Sequence, residues 1–294
     1  METLFEQRFN VARASAFWEL TKPRQTALLL VTGVCSYTLT QGLAFNPLEG
    51  LLMAAALFLS ISGCTALNMV LDRDIDAVME RSLARPLPAG ALEPAEAGSF
   101  GATLSLLGIT LAFALGPGFG LAVVAGFVTD LLVYTVWLKR LTPLSIVVGG
   151  VSGGIPVLAG RILALGRLDP IGLLLSASVV LWIPSHVLTL ASRRVQEYRR
   201  AGIPTWPGAY GPRATRIFVA GSNLLNTVAL TTAGLMLRIH SVALALLLAT
   251  SLAMCTLSTI QLAAPTARRN RLIFKAASLY MLASSLLLTI GSLA

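Results

Sequence analysis

The chain has 294 residues, 55% of them hydrophobic and only 12% charged, with a mean hydropathy of +0.78. Soluble domains carry about 25% charged residues, and surface-to-volume scaling gives a soluble protein of this length no core large enough for so much apolar side chain; lipid is the expected solvent. The net charge of +9 comes from basic residues that flank apolar runs, a pattern of membrane topology and anionic headgroups rather than of nucleic-acid binding.

At the start, Met1 to Arg24 carry Glu2, Glu6, Arg8, Arg13, Glu19 and Lys22, so no cleavable signal peptide is expected. With Phe5, Phe9, Val11, Phe17 and Trp18 interleaved, residues 1–23 form either an amphipathic helix on the membrane surface or a partly ordered tail.

Nine apolar runs follow, at 24–42, 48–70, 96–115, 121–138, 144–164, 170–191, 215–237, 241–264 and 273–293. Each suits the roughly 20 residues that a helix needs to cross a bilayer, and backbone groups in lipid must pair internally. The expected fold is therefore an all-α polytopic membrane protein in one domain, 1–294. The connections after the odd-numbered runs are short. Those after the even-numbered runs hold nearly all the charge: of 22 Lys and Arg, only Arg161, Arg167 and Arg238 fall on the other side. By the positive-inside rule the basic side and the N-terminus are cytoplasmic. Two of the charged loops, DRDIDAVMERSLARPLPAG (72–90) and SRRVQEYRRAGIPTWPGAYG (192–211), resemble one another and stand four helices apart, as the halves of an internal repeat would.

Cys35, Cys64 and Cys255 lie inside apolar runs without paired spacing and read as small buried side chains rather than disulfides or metal ligands.

The second run ends in the sharpest feature. Asn68, Asp72 and Asp76 are spaced i, i+4, i+8, and each step of four turns the helix only about 40° past a full circle, so the three share one face. The carboxylates stand at a helix C-terminus, where the macrodipole disfavours them, and one turn apart they repel. Nothing adjacent on the helix offsets this. Such a cluster is either a solvated acidic helix end or a site for a hard cation. Four of the 13 acids in the chain fall between Asp72 and Glu80, at a membrane boundary where ionisable groups are costly; this favours the cation. Carboxylate and amide oxygens suit Mg²⁺, which takes one or two carboxylates together with substrate phosphates.

Basic residues on the same side, Arg81, Arg85, Lys139 and Arg193 among them, either clamp a diphosphate or simply set topology. His186, in WIPSH beside Trp182, is either a packed histidine or a contact to a flat acceptor or its iron. Gly149, Gly150, Gly153 and Gly154 allow close helix approach or open space for a flat substrate. Asp130 falls mid-membrane in the fourth run with no partner that the sequence names.

NMVLDRDIDAVMERSLARPLPAG is similar to the first acidic motif of the UbiA superfamily of intramembrane prenyltransferases. ELTKPR (19–24), YTVWLKRLTPLSIVVGG (134–150), WIPSHVLTLA (182–191), EYRRAGIP (197–204) and FKAASLYM (274–281) resemble its haem O synthase (protohaem IX farnesyltransferase) branch. The resemblance implies nine helices around a central cavity, farnesyl diphosphate and Mg²⁺ at its cytoplasmic end, and haem b as acceptor. It implies Asn68, Asp72 and Asp76 as catalytic ligands of Mg–diphosphate, with Arg81, Arg85 and Lys139 on the phosphate. It places Glu197 and Tyr198 at the second acidic motif, and His186 and Trp182 on the haem side. The host is then the cell membrane, and the product serves haem–copper oxidase assembly. Glu197 stands where an aspartate is commoner, Thr205-Trp206 replaces methionine-leucine, and Ser185 and Val187 replace proline and phenylalanine, so the acceptor pocket departs from the pattern. An aromatic acid or a glycerol phosphate lipid is the alternative acceptor. A transporter of inverted repeats would instead need polar groups at bilayer depth.

Overall fold

The computed structural model describes residues 12–294. The part of the expected interfacial segment at 1–11, with Phe5, Phe9 and Val11, lies outside the described residues. Residues 12–20 form a helix, α1, whose Ala16 and Leu20 pack against Ala66, Met69, Leu92 and Ala97 while Arg13 pairs with Glu96 at 2.5 Å.

Nine helices among the described residues are long and apolar enough to cross a membrane. They are α2 (Pro23–Gln41), α3 (Pro47–Leu71), α5 (Pro94–Leu115), α6 (Pro117–Leu138), α7 (Ser145–Leu165), α8 (Pro170–Ala191), α10 (Trp206–Met236), α11 (Ser241–Ala263) and α12 (Ala267–Leu293). Two short helices, α4 (Arg73–Asp76) and α9 (Val195–Arg200), sit in the two long charged loops. The protein is thus the expected all-α polytopic membrane protein.

Helix starts are set by capping chemistry rather than by where the apolar runs begin. Proline opens α2, α3, α5, α6 and α8, its fixed φ suiting the first turn, where its missing N–H would have had no partner. Asn46 caps α3 by accepting from Leu48 and Glu49, Asp169 caps α8 through Gly172, and Thr266 caps α12 through Arg269. Because of that last cap α12 begins six residues before the expected run. α10 begins nine before, at Trp206-Pro207, and breaks at Gly211, whose φ of 78° is open to glycine.

Consecutive membrane helices pack side by side, and α12 returns to α2. α2 and α7 also cross closely: a Cβ at Gly160 would collide with the carbonyl oxygen of Gly33. The expected small-residue face of α7 is used for close helix approach and also lines open space. Gly154 lets α8 approach through Ser176, while Gly149, Gly150 and Gly153 border a cavity.

Candidate active site

A cavity of about 610 Å³ lies among α2, α3, α6, α7 and α8 and extends to the two charged loops, within the range of about 300–1,000 Å³ typical of small-molecule sites. Its deeper wall is apolar, with Leu57, Val123, Phe127, Ile155 and Val179; its charged end holds Asn68, Asp72, Asp76, Arg81, Arg85 and Lys139.

Asn68, Asp72 and Asp76 share one face as the spacing requires. α3 ends at Asp72, and α4 carries on the same turn, with the Asp76 N–H donating to the Asp72 carbonyl at 2.8 Å. All three side chains are buried on the cavity wall. The acids do have offsetting partners, and these come from outside the helix. Lys139 of α6 pairs with Asp72, and Arg85 donates to both Asp76 oxygens at 2.7 and 2.6 Å. Arg81 donates to the Tyr198 hydroxyl at 3.0 Å, joining the two loops. They also meet through Ile75, Met79 and Ile203, so the acidic and second-motif loops fold together across the cavity end.

α6 positions Lys139. Its second half, Thr129–Leu138, is wound as a π-helix, and the Lys139 N–H donates to the Tyr134 carbonyl at 2.8 Å. Bonding five residues back widens the turn. Asp130, Tyr134, Thr135 and Lys139 thereby all border the cavity.

Asp130 receives the partners the sequence did not name. Its Oδ2 accepts from Asn68 Nδ2 at 2.7 Å and from Cys64 Sγ at 3.3 Å, and its Oδ1 from Ser152 Oγ at 3.3 Å. Thr135 Oγ1 donates to the side-chain Oδ1 of Asn68 at 2.9 Å. A second residue missed is Lys22. It is held in the left-handed region at φ 45° between α1 and α2 and borders the cavity, and no ion pair to it is formed among the described residues. Burial, reinforced by the Arg85 cation, holds its ammonium below the ordinary lysine value. A charge at bilayer depth was the signal for Asp130; the stretch ELTKPR was the signal for Lys22.

His186 lies one turn from Trp182. Its ring stacks between Trp182 and Phe274, at centroid distances of 5.2 and 4.7 Å, and both His186 and Trp182 border the cavity. Trp182 is fixed by a hydrogen bond from Nε1 to the Ala277 carbonyl at 2.6 Å. The other two candidates stand off the cavity: Arg193 is exposed, and Glu197 is half-buried and accepts from Arg194 at 2.7 Å.

The donor set fits Mg²⁺. The Oδ1 of Asp72 is buried on the cavity wall without a hydrogen-bond partner, a costly state for a carboxylate oxygen. No three His, Cys, Asp or Glu residues gather into a metal cage among the described residues. Two carboxylates and an amide, completed by water and phosphate oxygens, are what Mg²⁺ accepts.

Fold and site together define a polytopic helical membrane protein with a charged cluster at one end of an apolar cavity. The model of the UbiA prenyltransferase family matches residues 29–286, and the chain belongs to that family. Protoheme IX farnesyltransferase from Archaeoglobus fulgidus is 45% identical over 200 residues, which cover 68% of this chain and 70% of that protein. The solved structure of a digeranylgeranylglyceryl phosphate synthase shares the fold with a TM-score of 0.79 at 19% identity, over 96% of this chain and 99% of that one. A UbiA homolog from Archaeoglobus fulgidus, bound to DMAPP and Mg2+, shares it with a TM-score of 0.68 at 14% identity, over 93% and 99%.

Proposed function

We propose that the protein transfers a farnesyl group from farnesyl diphosphate to a vinyl side chain of protohaem IX (haem b), giving haem O. The observation that carries this is the pairing of the acid row and its cations with an apolar cavity bordered by the stacked pair Trp182 and His186. The relatives named protoheme IX farnesyltransferase, such as the 45% identical protein of Archaeoglobus fulgidus, support the choice of donor and acceptor.

In this reading Asn68, Asp72 and Asp76 hold Mg²⁺, which when bound neutralises charge on the diphosphate and makes it a better leaving group. Arg85 and Lys139, already beside Asp76 and Asp72, turn to the phosphate oxygens, and Arg81 joins them. Preorganised cations of this kind stabilise charge as it develops on the leaving group. The apolar wall takes the farnesyl chain and keeps water from the allylic cation. Trp182 and His186 hold the porphyrin face so that a vinyl group meets farnesyl C1. Arg193, Glu197 and Tyr198 belong to the loop that closes the charged end, Tyr198 through Arg81.

The positive-inside rule supports a cytoplasmic N-terminus and a charged end facing the cytoplasm. The chain then acts as one domain in the cell membrane, surrounded by lipid, and its product supplies haem–copper oxidases. The test is mass spectrometry of haem extracted from cells expressing the protein or its Asp72→Asn variant. Haem O from the first and haem b alone from the second is expected; equal haem O from both would refute the reading.

A further inference from the structure

A second, smaller cavity of about 40 Å³ lies deeper among α2, α8, α10 and α12, and it shares Val179 and Trp182 as a common wall with the large one. Its walls are largely apolar, with a few polar side chains set among them. Ser36 Oγ and Asn226 Oδ1, each on a residue 1% exposed, have no hydrogen-bond partner among the described residues. Ser284 Oγ, beside Tyr280, likewise has no partner of hydrogen-bond geometry. Buried polar atoms without partners are costly, and three of them converging on one cavity at mid-helix are not accounted for by packing. A water needs roughly 10–15 Å³ and two to four polar partners, so both the volume and the donor set suit one or two water molecules.

The geometry points to this cavity as the site of the ordered water that becomes the hydroxyl of the product. The inference rests on the farnesyl transfer proposed above and adds where its second substrate sits. That reaction has opposed demands. Water must stay away while the allylic cation exists, yet one water must add straight afterwards. As farnesyl C1 bonds to the terminal vinyl carbon, the C1–O bond breaks and its electron pair leaves with the diphosphate. The positive charge moves to the vinyl carbon attached to the ring. The oxygen of a water bonds to that carbon, and the oxonium so formed gives its proton to a second water of the same cavity, the positive charge balancing the diphosphate released at the other end; no oxidant or reductant is needed. A water held behind Val179 and Trp182, the residue one turn from His186, is separated from the diphosphate end and adjacent to the porphyrin wall. Without it the cation loses a proton instead and leaves an alkene lighter by one water.

The experiment gives purified protein haem b, farnesyl diphosphate and Mg²⁺, and reads both products by mass spectrometry for the wild type, a Ser36→Ala/Ser284→Ala double variant and Asn226→Leu. Hydroxyls without partners can be removed without loss of fold, so the double variant carries the test if Asn226→Leu does not fold. The hydroxyethyl-to-alkene ratio is expected to fall about tenfold, the change that a cost of about 1.4 kcal/mol on the hydration branch gives, with total farnesylated haem little changed. An unchanged ratio overturns the inference, as does loss of both products in a folded double variant, because partitioning follows alkylation. Failure of the wild type to farnesylate haem at all would instead overturn the proposed function.

Discussion

The side-chain amide of Asn68 on α3 donates to the Asp130 carboxylate on α6 at 2.7 Å, across 62 residues of sequence. A carboxylate only accepts, so this bond fixes which end of the amide is nitrogen, and the carbonyl oxygen is left to Thr135 and the cavity. Asp130 therefore orients a proposed metal ligand without being one. Residues in that position typically matter about 10–100-fold for metal affinity or activity. Asp130→Leu should raise the Mg²⁺ concentration for half-maximal turnover by that factor, while Asp130→Asn, which keeps an acceptor oxygen, should lose less. A magnesium titration of both variants checks this.

Asp74 sits between Asp72 and Asp76 in sequence but off the cavity. Its side chain is 59% exposed and paired with Arg140 at 2.7 Å, whose hydrogen bond pulls the carboxyl down to about 2. Exposed pairs contribute about 0–1 kcal/mol. The folded value is depressed, so the small contribution is present above the ordinary carboxylate range and fades as pH falls towards 2; it is constant near neutrality. Asp74→Asn is expected to leave turnover within about twofold of wild type, against abolition in Asp72→Ala.

His186 stacks on Phe274 at 4.7 Å and on Trp182 at 5.2 Å. Removing the ring in His186→Ala should raise KM for haem b by about tenfold, as expected for loss of one aromatic contact of about 1–1.5 kcal/mol, and leave KM for farnesyl diphosphate unchanged. His186→Phe should recover most of the loss if the ring serves to pack between Trp182 and Phe274, and little of it if the imidazole binds iron. Steady-state kinetics with each substrate varied in turn separates the two.

At the opposite end of the bundle Arg161, 6% exposed, donates to both oxygens of Asp169 at 2.6 and 2.7 Å and to Thr40 at 3.0 Å. Breaking a buried pair from one side costs about 3 kcal/mol, so Asp169→Asn should lower the unfolding temperature without changing turnover of the folded fraction. Arg161 holds the Asp169 carboxyl below its usual value. The stability it lends is therefore present above the ordinary carboxylate range and lost as pH falls through the depressed value, so wild type and variant should converge in acid. Thermal unfolding of the detergent-solubilised protein at several pH values reads this.

The nine membrane helices were legible in the sequence because hydropathy over about 20 residues responds to lipid, and that is what surrounds them. So was the face shared by Asn68, Asp72 and Asp76, a local matter of helical period. The π-helical winding of Thr129–Leu138 was not legible: apolar composition is the same for either winding, and only the bond from Lys139 to Tyr134 reveals it. Nor could spacing along α3 show that Asp72 and Asp76 are neutralised, since Lys139 arrives from 67 residues away. The cavity face of Lys22 depends on a single left-handed residue between two helices. Arg193, placed on the phosphate by its neighbours in sequence, stands outside the cavity because the turn after α8 directs it outward.

The central claim is that the acid row and Mg²⁺ together bind the diphosphate. Its most direct test is a binding titration of farnesyl diphosphate, without haem, on wild-type protein and on Asp72→Ala, each with Mg²⁺ and with a chelator. Wild type should bind about 100-fold more weakly once Mg²⁺ is removed, a loss of about 2.7 kcal/mol, and the variant should bind weakly in both conditions. Equal affinity with and without the metal in wild type, or full affinity in the variant, would contradict the account.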